Sequence, residues 1–379
     1  MPPYKILYIT PSVRLFGARV SLLTLVTNLD RTQFEPVVVC PKKGPLADEL
    51  IKRGIKTEFI PIKSFRKGKY FPLIPLTVYK LIKLVKKENI NLIHCNEDWV
   101  NPYAVLIKWF TKIPVITHMR LSITEKRIKN YLLKYADKII CVSNKSAEDF
   151  KNWKYKEEKV VTIYNGIDLN VYNENVKGDK VRKEFNLSEN DILITHIALI
   201  SPRKMQNITI NSAKIVLNKY PNCKFLLVGE HSKRDIEYMN ELKQMVKGYE
   251  DKIIFTGFRK DIPEICAASD INLLISTDEG FGRVILEAGA MGVPTIGTNI
   301  GGIPEVIEDN KTGLLIPPNN SEELTKAIIK LIENPSLRKQ LGKNAKERVK
   351  TKFSIEIHTH QIQNLYSSLF RLVPKPRFP

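Results

Sequence analysis

At 379 residues, 43% hydrophobic and 26% charged, the chain has the composition of a folded protein with room for two ordinary domains, which excludes a disordered or low-complexity polymer. No apolar run reaches the roughly 18 residues a membrane-spanning helix needs. Cysteines 40, 95, 141, 223 and 266 are scattered without a Cys-x-x-Cys, so they read as small buried hydrophobes rather than a disulfide framework or zinc site. The net charge of +20 lies mostly in the first half, where residues 1–150 carry 26 Lys+Arg against 12 Asp+Glu. That field attracts anionic partners such as lipid headgroups, acidic glycans or nucleic acid, although no nucleic-acid module is recognisable.

The start of the chain lacks a basic n-region and a small-residue cleavage site, so Lys5 to Thr10 reads as a first strand and a cytoplasmic protein is expected. A loop with Phe16-Gly17-Ala18-Arg19 precedes an amphipathic helix over Val20 to Leu29. A strand (Pro36 to Cys40), a helix (Pro45 to Arg53) and a strand (Lys56 to Ile60) follow. Strands alternating with helices imply a parallel sheet covered on both faces, with ligands beyond the carboxyl ends of its strands. Gly17 and Arg19 belong to such a loop.

From Lys63 to Lys87, aromatic residues Phe65, Tyr70 and Phe71 interleave with cations. A helix through Tyr79, Leu81, Ile82, Leu84 and Val85 then carries Lys80, Lys83, Lys86 and Lys87. The plain reading is a surface helix with solvated lysines, and the alternative is a patch for a membrane surface. A strand at Asn91 to His94 leads to Asn96, Glu97, Asp98 and Trp99. Another at Val115 to Thr117 delivers His118 and Arg120. His118 is a core histidine or a ligand contact, and its place at a strand tip favours contact. Lys138 to Ser143 is the last clear strand before the turn Asn165-Gly166-Ile167-Asp168.

Polar sequence to Asp191 reads as a linker, after which Ile192 to Leu199 restarts the pattern. Arg203 and Lys204 then stand at the head of a helix, as a phosphate site needs, though exposed basic pairs are common. Lys224 to Val228 ends in Gly229-Glu230-His231, and Ile253 to Phe255 precedes Thr256-Gly257-Phe258-Arg259. The apolar run Ile271 to Ile275 opens into Ser276-Thr277-Asp278-Glu279-Gly280-Phe281-Gly282-Arg283 and a helix containing Glu287. Backbone amides from Gly280 to Arg283, with the helix dipole, suit an anion, while Glu279 and Glu287 can accept hydrogen bonds from hydroxyls. A ligand both phosphate and sugar fits. Beyond lie a strand (Pro294 to Thr298), Gly301-Gly302-Ile303-Pro304-Glu305, and helices Ser321 to Glu333, Leu337 to Lys350 and Ile355 to Leu372.

The order and spacing of Glu279-x7-Glu287, Gly301-Gly302-Ile303-Pro304-Glu305, Thr312-Gly313-Leu314-Leu315, Asn165-Gly166-Ile167-Asp168 and the Gly17 loop resemble glycosyltransferase family 4 across nearly the whole chain. The resemblance implies an α/β GT-B fold: two Rossmann-like domains facing across a cleft, with a C-terminal helix crossing back to the first. The domains would be 1–170 on the acceptor side, a linker over 171–190, 191–350 for the sugar nucleotide, and a returning segment over 351–379.

It further implies that Glu287 holds the ribose, Glu279 the donor sugar, and Arg203 and Lys204 the diphosphate, with amides near Gly280, Phe281 and Gly282. Arg259 would lie near the base, His118 against the donor sugar, and Gly17 beside diphosphate and acceptor, with Arg19 and Arg120 on the acceptor side. Arg19 could equally point to solvent. The implied reaction is retaining, needs neither metal nor cofactor since the nucleotide sugar is a substrate, and acts on a glycan or lipid-linked acceptor at the inner membrane face. Fixed cations and amides would stabilise the leaving diphosphate, with Glu279 positioning rather than attacking. Two rival readings are an inverting enzyme with Glu97, Asp98 or His118 as base and a non-catalytic relative that binds nucleotide sugars. The pattern is broken at Ala198 and Leu199, where many relatives carry an arginine, and at Met205, where glycine is usual. Arg203 is the nearest cation to substitute.

Overall fold

In the computed structural model, which describes residues 3–65, 68–121, 124–152 and 155–372, the chain divides into two compact units. One is Met1–Gly166 with Ile355–Pro379, the other Ile167–Ser354. Among the described residues the first unit holds a seven-stranded parallel sheet ordered β3-β2-β1-β4-β5-β6-β7. Its strands are β1 (Tyr4–Ile9), β2 (Phe34–Cys40), β3 (Lys56–Phe59), β4 (Leu92–Cys95), β5 (Val115–Met119), β6 (Lys138–Cys141) and β7 (Val160–Thr162).

Successive residues of a strand point to opposite faces, so β1 serves two cores. Leu7 and Ile9 pack with the helices Ile74–Glu88 and Asn101–Thr111, while Ile6 and Tyr8 pack with Leu22, Leu46, Ile362 and Tyr366 from the other face. The C-terminal helix, Ile355–Leu372, is thereby part of the first unit's core. Its Tyr366 hydroxyl lies 2.8 Å from the Tyr8 hydroxyl and 2.6 Å from His94 Nδ1, and Phe370 stacks on Tyr4 at 4.0 Å. Among the described residues no helix is long and apolar enough to cross a membrane.

The second unit repeats the plan with six parallel strands ordered β10-β9-β8-β11-β12-β13. They are β8 (Ile192–Ile197), β9 (Cys223–Val228), β10 (Ile253–Gly257), β11 (Ile271–Leu274), β12 (Thr295–Thr298) and β13 (Gly313–Ile316). The expected linker, 171–190, is not a bare tether. It holds the helix Asp179–Glu184, whose Val181 is buried with Leu193, Leu226, Val228 and Ile265. Val181 inside Asp-Lys-Val-Arg-Lys-Glu, with Phe185 and Leu187 just after it, docks the short helix on that core, and the surrounding charges hide it in the sequence.

In each sheet the strand order reverses once, between β1 and β4 and between β8 and β11. Loops leaving those neighbouring carboxyl ends diverge and open a crevice, the usual ligand position in such sheets.

Candidate active site

At the reversal point of the second unit, β8 leads through the short turn Pro202–Lys204 into the helix Gln206–Lys219. Between them Met205 adopts a left-handed conformation, φ 48° and ψ 41°, a region where glycine would carry no Cβ strain. Lys204 is only 8% exposed, and its ammonium donates to Ser276 Oγ at 3.3 Å and to Glu279 Oε2. The ion pair therefore bridges the loops that leave β8 and β11. The backbone of Glu279 is fixed as well, because its carbonyl accepts from the Gly302 N–H at 3.0 Å. A Cβ on Gly301, which has φ +53°, would come within 2.0 Å of that oxygen, so the Gly301-Gly302 pair is needed for close backbone approach.

Arg203 is more peripheral, its guanidinium 39% exposed and 3.9 Å from Asp278 Oδ2. Gly280 is buried, and Gly282, at φ 88°, feeds the helix Arg283–Ala290 with no side-chain cap. Phe281 turns its ring into the protein, edge-on to Phe353 at 5.7 Å, which leaves its part in a ligand site to its backbone. Glu287 accepts from Arg283 Nη2 at 3.1 Å, one helical turn away, with both side chains 13% exposed. Glu287 also lies beside Tyr172, where burial first and this carboxylate next raise the phenol well above its ordinary pKa. Arg259 stands apart. It makes four hydrogen bonds to Glu184 and Asp261, which raise its already high pKa, and so braces the helix Asp179–Glu184.

The first unit has a related construction. Gly17 has φ 38° and ψ −102°, and a Cβ there would meet nothing within 4 Å, so the strained turn faces open space. Arg19 does not point to bulk solvent. Its Nη1 lies 2.6 Å from Glu97 Oε1, joining the helix after β1 to the loop after β4. Asn96 donates to the Ala18 carbonyl at 3.2 Å and accepts from Arg120 Nη2 at 2.8 Å, while Arg120 Nη1 donates to Asn165 Oδ1 at 2.7 Å. Asp98 accepts from Arg127 Nε and Nη2 at 3.0 and 2.6 Å. Its pKa is raised because burial outweighs the arginine.

His118 is fully buried between the rings of His94 and His358, at 5.6 and 6.5 Å, and among the described residues neither ring nitrogen has a hydrogen-bond partner. Burial above all, then Arg120 and the two histidines, hold it well below the usual imidazole pKa, so it is neutral. As proton acceptors the rival candidates are compromised: Glu97 is committed to Arg19, Asp98 to Arg127, and His118 is buried and weakly basic.

Thus the structure joins Lys204, Glu279 and Ser276, joins Arg283 and Glu287, joins Arg19 to Glu97, and joins Arg120 to Asn96 and Asn165, while Arg259 belongs to a separate network. Arg283 as the partner of Glu287 was missed, though its four-residue spacing on a helix signals it. Ser276, Asn165 and Arg127 were missed as partners because nothing in local sequence ties them to residues 45 to 72 positions or, for Arg127, 29 positions away.

Known proteins resemble the chain across both units. A family model described as Glycosyl transferases group 1 matches residues 178–348, and one described as Glycosyltransferase Family 4 matches residues 17–171. An uncharacterized glycosyltransferase of Methanocaldococcus jannaschii, MJ1178, is 32% identical over 326 residues, 81% of this chain and 83% of its own. The chain belongs to glycosyltransferase family 4. As a family member it is a nucleotide-sugar-dependent glycosyltransferase built on two Rossmann-like units. The UDP-Gal:alpha-D-GlcNAc-diphosphoundecaprenol alpha-1,3-galactosyltransferase of Escherichia coli is 26% identical, over 92% of this chain and 96% of its own. The Anabaena protein Alr3699/HepE, solved in complex with UDP-glucose, superposes with a TM-score of 0.84 at 26% identity, covering 96% of this chain and 99% of that one. These relatives are what the chain is similar to, and their ligands are theirs.

Proposed function

We propose that the chain transfers a sugar, with retention of anomeric configuration and without a metal or cofactor, from a nucleotide diphosphate sugar to a glycan or lipid-linked acceptor. The observation that carries this reading is the Lys204–Glu279 pair across the reversal point of the second sheet, beside an uncapped helix start at Gly282. When the bond from the sugar C1 to the diphosphate oxygen breaks, charge gathers on that oxygen. Lys204, Arg203 and the helix start supply fixed positive potential there with no reorganisation during reaction. Glu279, freed from Lys204 by the incoming diphosphate, accepts hydrogen bonds from sugar hydroxyls, and Glu287 with Arg283 meets the ribose. The acceptor oxygen attacks C1 from the face the diphosphate leaves, and its proton passes to the departing diphosphate, so no side chain acts as nucleophile or base. The commitments of Glu97 and Asp98 and the burial of His118 favour this route over inversion. A uridine nucleotide is the first donor to try, because the Escherichia coli relative and the Anabaena protein are both named with UDP-linked sugars.

An anionic membrane surface is the proposed setting. Phe71 and Leu73, in the turn before the helix Ile74–Glu88, are 57% and 45% exposed, Leu76 and Tyr79 on that helix are 52% and 63% exposed, and the helix also exposes Lys80, Lys83, Lys86 and Lys87. Aromatic and basic side chains together suit an interface of apolar tails and anionic headgroups. Arg66 and Lys67, also in the basic stretch, lie outside the described residues.

The test is transfer from UDP-, GDP- and ADP-sugars to a membrane extract with chelator present, followed by measurement of the product's anomeric proton coupling. Retention is expected. Inversion, or abolition of transfer by the chelator, would contradict the proposed mechanism.

A further inference from the structure

Beyond the carboxyl ends of β4 and β5, the first unit contains a pocket of about 730 Å³. Its walls come from the loop with Glu97, Asp98 and Trp99, from Arg120, and from the short helix Glu125–Asn130, which contributes Lys126 and Arg127. The charge arrangement is unusual. Both carboxylates already accept from arginines, Glu97 from Arg19 at 2.6 Å and Asp98 from Arg127 at 2.6 and 3.0 Å. Three cations and two carboxylates line the pocket, and Arg19, which pairs with Glu97 from outside the lining, raises the local excess to two positive charges.

The carboxylates hold the guanidinium groups in place, as do Asn96 and Asn165 for Arg120. Cations fixed in this way lose little freedom when an anion arrives. Lys126 differs: it is exposed, and among the described residues it has no ion-pair partner. Tyr131, its ring 5.9 Å from the Arg127 guanidinium, and Trp99, which packs against the same hydrophobic core, are the aromatic residues of the lining. Flat aromatic walls suit the C–H face of a sugar ring.

We infer that this pocket is the subsite for a sugar diphosphate on the acceptor, the diphosphate lying among Arg120, Lys126 and Arg127 and the sugar against Trp99 and Tyr131. A diphosphate diester brings roughly two negative charges at neutral pH, equal to the local excess, and bidentate arginine contacts match its oxygens. A neutral glycan would leave that excess uncompensated. The inference refines the acceptor class of the proposed transferase and rests on that reading, but binding alone can test it.

The full-length protein is titrated by calorimetry with three probes: an N-acetylhexosamine linked through diphosphate to a farnesyl chain, the octyl glycoside of the same sugar, and UDP. The diphosphate probe should bind at least tenfold more tightly than the glycoside. Lys126→Glu, a change at an exposed side chain, should weaken that probe by tenfold or more and leave the heat of UDP binding unchanged. Lys126→Arg should restore the probe's affinity. Equal affinity for the charged and uncharged probes, insensitivity to Lys126→Glu, or complete displacement of the diphosphate probe by equimolar UDP would overturn the assignment. Loss of UDP binding in the wild type would instead contradict the donor-site reading, so the two failures are distinguishable.

Discussion

The two reversal points carry the same device at different depth. In the first unit Arg19 from the helix after β1 reaches Glu97 after β4, with side chains 18% and 17% exposed; in the second, Lys204 after β8 reaches Glu279 after β11, at 10% and 15%. The surroundings differ more than the pairs. Glu279 is locked through its backbone, by the Gly302 N–H and by the space that Gly301 leaves, whereas Glu97 is held through its side chain by Arg19 and follows Asn96, whose side chain ties to Arg120 and so to Asn165. A backbone lock holds one geometry for a constant part of a substrate. A side-chain web can be rebuilt residue by residue for a different acceptor.

The sharpest way to break this comparison is to remove the cation at each point. Lys204→Ala should lower kcat/KM by roughly 10²–10³-fold, as loss of a preorganised charge-stabilising donor does, and should weaken donor binding. Arg19→Ala should instead act on the acceptor, raising its KM about tenfold while UDP binding is kept. Steady-state kinetics with each substrate varied separates the two. Equal donor defects would erase the distinction.

Next come the glycines. Gly301→Ala places a Cβ 2.0 Å from the Glu279 carbonyl at φ +53°, and should cost roughly 3 kcal/mol of stability by chemical denaturation and displace Glu279. Gly17→Ala meets no atom within 4 Å and should cost only about 1 kcal/mol from its positive φ.

Acid should then separate the units. Burial lowers the imidazole pKa of His94 to about 3 and that of His118 well below 6.5 in the first unit, and that of His196 to about 3 in the second. These groups stay neutral in the fold while the unfolded chain takes up protons below about pH 6.5. Their contribution is therefore complete above that pH and is lost as pH falls, by up to about 1.4 kcal/mol per pH unit for each imidazole. The first unit, with two, should melt earlier in a calorimetric series from pH 7 to pH 5. The reverse order would contradict the burial of the histidine stack. The smallest effect is expected at Arg203, which is 39% exposed and weakly paired: Arg203→Ala should reduce donor affinity by less than about tenfold.

The same contrast explains what could be read from the chain before its structure. Strands with both faces buried declare themselves as runs such as Ile271 to Ile275, and the alternation of strand and helix implied both sheets. Glycines that permit close backbone approach sit near the residues they serve, so Glu279, Gly282 and Gly301 were visible as a local pattern. The bonds from Arg19 to Glu97, Asp98 to Arg127 and Arg120 to Asn165 connect positions 78, 29 and 45 residues apart, and only the folded sheet brings them together. The docked helix Asp179–Glu184 escaped for a related reason, since Val181 acquires meaning only against Leu193 and Ile265.

The central claim, that the Lys204–Glu279 reversal point receives the nucleotide diphosphate, is tested most directly by thermal unfolding of wild type and Lys204→Ala with UDP, GDP and ADP. Binding to the folded state alone adds about 2.7 kcal/mol at a ligand concentration a hundred times Kd. One nucleotide, UDP foremost, should raise the wild-type melting temperature and leave that of Lys204→Ala within error. An equal rise in both proteins, or none in the wild type with any nucleotide, would contradict the account.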